Sequence, residues 1–200
     1  RCADRAGASS LDARRREART HVKREDLEHV VRAASDIVGD AEIVVVGSQA
    51  ILGQHPDAPE SLLVSIEADL YPRNRPERAI EIDGAIGDGS RFHETYGYYA
   101  HGVGPETPIA PAGWEQRLVA ITMPAIRPRE GTVTAWCLEA HDLTLAKLAA
   151  GRAHDLVFVE EALRSELVDR EQLLLGVELM PPDHRELVRG RLAGLLARVI

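Results

Sequence analysis

Four consecutive apolar residues, Ile43-Val44-Val45-Val46, run without a polar break into Gly47-Ser48. A strand with one wet face alternates apolar and polar side chains, whereas a continuous β-branched run is a strand covered on both faces. Glu42 to Val46 is therefore read as an inner strand of a sheet flanked by helices. The preceding segment supplies one such helix: Leu27, Val30, Val31, Ala34 and Val38 recur at helical spacing, and Gly39 follows as a left-handed stop. After Gly47, Ser48 is suited to cap a short helix from Gln49 to Gly53, and Gln54 to Pro59 reads as a loop. A second β-like run covers Leu62 to Ile66 and carries the chain into a strand from Ser65 to Tyr71, ended by Pro72.

Downstream, Pro76 to Ile86 reads as helix, broken by Gly87-Asp88-Gly89-Ser90. Thr95 to Met123 is β-like with many turns, its strand text lying at Tyr96 to Tyr99, around Ile109 and at Leu118 to Thr122; Thr132 to Leu138 is a further strand. After Glu139 the pattern turns wholly helical: Asp142 to Ala150, then a seam of Leu156, Val159, Leu163 and Leu167, then Arg170 to Val177. A last helix opens at Pro181-Pro182 and carries Val188, Leu192, Leu195 and Val199 on one side. The expected plan is α/β (α+β): a mixed sheet with flanking helices over 24–139, then a C-terminal helical bundle over 140–200. Residues 1–23, rich in Ala and Arg and without the apolar centre of a secretory signal, read as a disordered or expression-derived tail.

Composition limits the partners. The net charge of -8 disfavours a polyanion over the surface as a whole, so nucleic acid would need a local basic patch. Two cysteines far apart, Cys2 and Cys137, support neither a disulfide framework nor a thiolate zinc site, which suits a reducing cytoplasm. No apolar stretch approaches the roughly 20 residues needed to cross a bilayer, so no membrane is expected.

Two short motifs carry chemistry. Backbone N–H groups at a helix start attract phosphate oxygens, and a glycine such as Gly47 lets the ligand approach without a Cβ in the way; Ser48 adds a hydroxyl. On the next strand, alternation puts Glu67 and Asp69 on one face with Ala68 on the other. Two carboxylates on one edge suit a hard divalent cation, which bridges triphosphate oxygens. Each motif alone has an ordinary alternative: a strand-to-helix turn with its cap, and a solvated strand end. Their order on consecutive strands is what favours a nucleoside triphosphate with magnesium.

These residues also carry a resemblance. Val45-Val46-Gly47-Ser48-Gln49-Ala50, followed by Ser65-Ile66-Glu67-Ala68-Asp69-Leu70-Tyr71, resembles the polymerase-beta-type nucleotidyltransferase superfamily. More closely, the chain looks like a bacterial family of uncharacterised nucleotidyltransferase-like proteins related to AbiEii-type toxins. Gly89-Ser90-Arg91-Phe92-His93-Glu94-Thr95, Pro111-Ala112-Gly113-Trp114 and His141 to Leu156 extend the likeness over about residues 25–178. The resemblance implies that Gly47 and Ser48 hold the triphosphate, that Glu67 and Asp69 are the catalytic metal ligands, and that Lys147 reaches the phosphates. It matches Asp155 to an acidic position after the Lys/Arg helix, while Arg152 is either a phosphate contact or an ion-pair partner of Asp155. The implied activity is magnesium-dependent transfer of a nucleoside monophosphate from an NTP to a hydroxyl, on a tRNA, a protein or a small molecule. A toxin-like role with an antitoxin protein as partner belongs to the same implication.

The chain departs from the superfamily pattern in placing Glu67 where Asp is usual and in lengthening the gap before it. It also has no obvious third carboxylate; Glu139, at the end of the 132–138 strand, is the best strand-borne candidate. His93-Glu94, His141-Asp142 and His154-Asp155 lack the spacing that puts two imidazoles on one helix face, so no zinc cluster is read from them. Tyr96, Tyr98 and Tyr99 have a base-stacking reading beside the commoner one of packing, and Trp114 reads as a turn anchor. Arg73, Arg75 and Arg78, just past Asp69, form either an acceptor-side patch or a solvated helix start. The opposing reading of the whole is a catalytically weak nucleotide-binding or protein-interaction module that keeps the fold.

Overall fold

The computed structural model describes residues 21–127 and 131–199. A five-stranded mixed sheet forms the centre, in the order β3-β2-β1-β5-β4. Its strands are β1 (Glu42–Val45), β2 (Glu67–Pro72), β3 (Tyr99–Gly102), β4 (Val119–Pro124) and β5 (Thr132–Cys137). The middle strand β1 runs antiparallel to β2 and parallel to β5, while β3 runs parallel to β2 and β4 antiparallel to β5. The unbroken apolar run thus occupies the most enclosed place in the sheet, and Ile43, Val44 and Val45 are almost fully buried.

Helix α1 (Arg24–Val38) lies against this sheet through Leu27, Val30, Val31, Ala34 and Val38, all of them buried. Its first turn is closed by Asp26, whose carboxylate accepts from the Lys23 N–H at 3.0 Å, and its last by Gly39 in the left-handed region. Val22, within the stretch expected to be tail, is buried, and its N–H donates to the Leu63 carbonyl; residues 1–20 of that stretch lie outside the described residues. Helices α2 (Ala79–Ile86) and α3 (Arg91–Tyr96) follow β2.

The second half is helical as expected. Helix α4 (Ala140–Ala150) contacts α5 (Ala153–Arg164), α6 (Arg170–Glu178) and α7 (Pro182–Val199). It also meets the 3-10 helix Ser48–Gly53 that follows β1. This explains why α4 is buried nearly all round, from Leu143 through Leu148, rather than along one stripe. Among the described residues no helix is long and apolar enough to cross a membrane.

The expectations differ from the structure at several points. Leu62 to Ile66 is not a strand: Glu60–Leu62 is a 3-10 turn and β2 starts only at Glu67, where pairing with Tyr99 of β3 begins. Tyr96 ends a helix instead of starting a strand. Ser90 caps α3 by accepting from the His93 N–H at 3.1 Å, and Gly97 ends it with φ 78°, a conformation that side-chain-bearing residues adopt at a cost. Strand pairing therefore begins at Tyr99. Ile109 lies in irregular chain, and Ser48 is the first residue of its 3-10 helix, with Gly47 at the cap position and no side-chain cap bond.

Truncating the central strand should therefore be expensive. Ile43→Ala is expected to lower stability by about 2–5 kcal/mol in equilibrium urea unfolding, because the fully packed strand interior cannot collapse around the lost atoms. A loss under about 1 kcal/mol would contradict this burial.

Candidate active site

The end of β1 and the start of β2 come together because the ladder continues one residue past β1. The Val46 N–H donates to the Asp69 carbonyl at 3.0 Å, which lays Asp69 beside the Gly47 bend. The approach is so close that a Cβ on Gly47 would stand 2.1 Å from Asp69 Oδ2. Gly47 has an ordinary extended backbone, with φ -79°, so the glycine is required by this contact and not by its dihedrals. Gln49, fully buried, donates to the Ser65 carbonyl at 2.5 Å and ties the bend to the segment entering β2.

Alternation on β2 behaves as its sequence suggests. Ala68 and Leu70 are buried in the core, while Glu67 and Asp69, with side chains 35% and 30% exposed, share the opposite face. The parallel register of β3 sets Tyr99 beside Glu67 and His101 beside Asp69. The Tyr99 hydroxyl donates to Glu67 Oε2 at 3.2 Å. His101 Nδ1 lies 2.8 Å from Glu67 Oε1 and 3.0 Å from Asp69 Oδ1. Burial pulls the His101 imidazole down, but the Asp69 hydrogen bond and the nearby carboxylates outweigh it and hold its pKa above the ordinary value. Burial, with Glu67 adding to it, pushes the Tyr99 phenol up to about 12.

The second half contributes cations. Lys147, on α4, is buried and its ammonium lies 3.0 Å from Asp155 Oδ1 and over the Phe158 ring. Arg152, just before α5, places Nε 2.7 Å from Asp155 Oδ2 while most of its side chain stays in solvent. Asp155 is fully buried and also accepts from the Arg152 N–H, closing the first turn of α5. Burial pushes the Asp155 carboxyl up, yet hydrogen bonds from Arg152 and Lys147 hold it below the usual carboxylate range. Desolvation draws the Lys147 ammonium down, and Asp155 offsets this only in part.

The seven residues that the resemblance assigns to the site line one cavity of about 340 Å³: Gly47, Ser48, Glu67, Asp69, Lys147, Arg152 and Asp155. His101 and His154 line it too, and Val103, Ile109, Leu143 and Ala146 give it an apolar wall. Asp155 is the common partner of Lys147 and Arg152, so Lys147, which the resemblance implies reaches the phosphates, is held in an ion pair at the cavity. Glu139 is not a third carboxylate at the cavity. It caps α4 by accepting from the His141 and Asp142 N–H groups and pairs with His141 at 2.7 Å. Arg73, Arg75 and Arg78 do not line the cavity either; Arg78 is bound to Glu81 and the Val38 carbonyl, and Arg73 lies over the Trp136 ring. Tyr98 packs with His29 and Phe92 in the interior, so among the three tyrosines only Tyr99 faces the acidic pair.

The residue that the sequence reading missed is His101. Its signal was present in the alternation of Tyr99, Ala100 and His101, but its neighbour across the sheet depends on a β2–β3 register that local pattern does not reveal.

The donor set suits a divalent cation. One atom from each of Glu67, Asp69 and His101 lies within 4.8 Å of the other two, and the missing Cβ of Gly47 leaves the Asp69 carboxylate room on its inner side. A strand pair presenting acids beside a glycine bend thus shares one cavity with cations from the following helical half. The chain belongs to the family described as "Nucleotidyltransferase of unknown function (DUF6036)", whose model matches residues 25–175. That span begins in α1 and ends in α6, so it contains every residue named at the cavity. Searches of curated proteins and of solved structures found no match.

The buried ion pair gives a direct test of the cavity wall. Asp155→Asn leaves the Lys147 ammonium buried without its counter-charge and should cost about 3 kcal/mol, with much of the loss recovered when Lys147→Met is added. Because the folded-state pKa of Asp155 is depressed, its contribution is present above the unfolded value of about 3.9 and disappears as pH falls through the folded value. Unfolding titrations of the variant should accordingly show a shallower acid limb. Equal acid limbs in variant and wild type would contradict the assigned pairing.

Proposed function

We propose that this chain is a magnesium-dependent nucleotidyltransferase that moves a nucleoside monophosphate from a nucleoside triphosphate to a hydroxyl acceptor. The observation that carries this reading is the convergence of Glu67, Asp69, Gly47, Lys147 and Arg152 on a single cavity. Family membership supports the general activity; the metal, the roles of the residues and the direction of transfer are our reading of the geometry.

Each residue has a physical task. Glu67 and Asp69 hold the magnesium ion, and Tyr99 fixes the Glu67 carboxylate by its hydrogen bond. Magnesium, when bound, neutralises phosphate charge and makes the attacking hydroxyl more acidic. Two carboxylates alone would repel a triphosphate, so cationic side chains on the same cavity are needed to draw it in. Arg152 suits this task because its guanidinium is largely in solvent and forks naturally onto phosphate oxygens. Lys147 contributes a fixed positive charge, oriented by Asp155 and shielded from water by Phe158. At the bend, Gly47 leaves backbone N–H groups within reach of the phosphates, and Ser48 adds a hydroxyl. Val103, Ile109, Leu143 and Ala146 offer an apolar surface for the base or sugar.

The reading also joins the family to the polymerase-beta superfamily and to AbiEii-type toxins, on the motifs around Gly47, Glu67 and Lys147. As a toxin, the protein should arrest growth on expression, and arrest that persists in Glu67→Ala would cut that link.

The activity itself is tested with α-32P-labelled nucleotides and candidate acceptors. Label transfer is expected to require a divalent ion, with magnesium sufficient, and to fall by a factor of about 100 or more in Asp69→Ala, as for loss of a metal ligand that acts on the transition state. Tight nucleotide binding without transfer from any nucleotide would instead assign the chain to a binding module that keeps the fold.

A further inference from the structure

The third position of the acidic cluster is held by an imidazole. β2 and β3 are parallel neighbours with Asp69 and His101 in register, so the two side chains emerge on one face side by side. His101 Nδ1 lies 2.8 Å from Glu67 Oε1 and 3.0 Å from Asp69 Oδ1. Ligand atoms about 2.1 Å from an ion and at right angles around it are about 3 Å apart, so these separations match adjacent corners of an octahedron. The His101 side chain is 49% exposed, so the ring has room to turn its lone pair to an ion without disturbing the core. On its inner side the Asp69 carboxylate is free to adjust because Gly47 has no Cβ there.

We propose that His101 is a third ligand of the metal site, making it a centre of two carboxylates and one imidazole that favours manganese(II) over magnesium. This rests on the reading of Glu67 and Asp69 as metal ligands and extends it by a donor of different chemistry. Oxygen donors alone serve magnesium well, whereas a neutral imidazole nitrogen binds borderline transition ions in preference to a small, strongly hydrated one. His101 thus determines which ion the site selects. The acid pair keeps the charge that any divalent ion requires.

Binding of the metal alone, without nucleotide, tests this. Manganese(II) is titrated into the whole chain and followed by electron paramagnetic resonance, magnesium binding is measured by calorimetry, and directly bonded nitrogen is detected by electron spin echo modulation of the bound manganese. The wild type is expected to show a nitrogen coupling and to bind manganese more tightly than magnesium. His101→Gln should abolish the coupling and weaken manganese by a factor of about ten or more, in line with losses seen on disturbing metal-site residues, while magnesium weakens far less. Unchanged thermal melting of His101→Gln, whose side chain lies at the surface, checks the fold. A nitrogen coupling that survives in His101→Gln, or an equal loss for both ions, overturns the inference. If manganese binding is unaffected in His101→Gln but lost in Asp69→Ala, His101 is not a ligand and the two-carboxylate reading stands. If the wild type binds neither ion, both readings fail.

Discussion

The contact on which the rest of the site depends is the closeness of the Asp69 carboxylate to the Gly47 backbone. One hydrogen bond, from the Val46 N–H to the Asp69 carbonyl, extends the β1–β2 ladder past the end of β1 and brings an acid-bearing strand against the bend. Any side chain at position 47 would displace that carboxylate, as the 2.1 Å separation from an added Cβ indicates. Glycine here removes an obstacle between an anion and a backbone, a use distinct from tolerating unusual dihedrals. The fully enclosed strand β1 makes this arrangement rigid, since a register slip would turn its apolar side chains out of the core.

The helical half completes the cavity and sets its charge. Helix α4 packs against both the 3-10 helix after β1 and the other C-terminal helices, so its residue Lys147 is carried to the acid-bearing end of the sheet. Asp155 then organises two cations at once, one buried and one in solvent. A buried ion pair of this kind is a weak source of stability because desolvation opposes the attraction. Its value lies in holding a positive charge at a fixed place on a protein whose overall charge is -8. On the proposed function, that local arrangement is what lets an acidic chain receive a polyanionic ligand.

Much of this could be read from residues alone, for identifiable reasons. Helical spacing in α1 and α7, the unbroken apolar run of β1 and the alternation around Ala68 are local patterns, and local patterns survive folding. The likeness around Gly47, Glu67 and Lys147 pointed to a nucleotidyltransferase family, and the family match covers the same stretch. What was misread involved competition between equally local signals. Ser90 followed by a short helix looks like a breaker before a strand until its hydroxyl is seen to cap His93. Glu139 sits where a strand ends and a helix begins, and the helix start claims its carboxylate. His101 was missed for a different reason: its significance comes from a neighbour 32 positions earlier, through a parallel strand pairing that no short window contains.

The central claim is that the acids of β2 and the bend after β1 form one ligand-binding centre. A crystal structure with a non-hydrolysable nucleoside triphosphate and a divalent ion tests it most directly. The account predicts the ion between Glu67 and Asp69, the triphosphate against Gly47 and Ser48, and the Arg152 guanidinium on a phosphate oxygen. A nucleotide bound away from this cavity, or one bound in it with its metal out of reach of both carboxylates, would contradict the account.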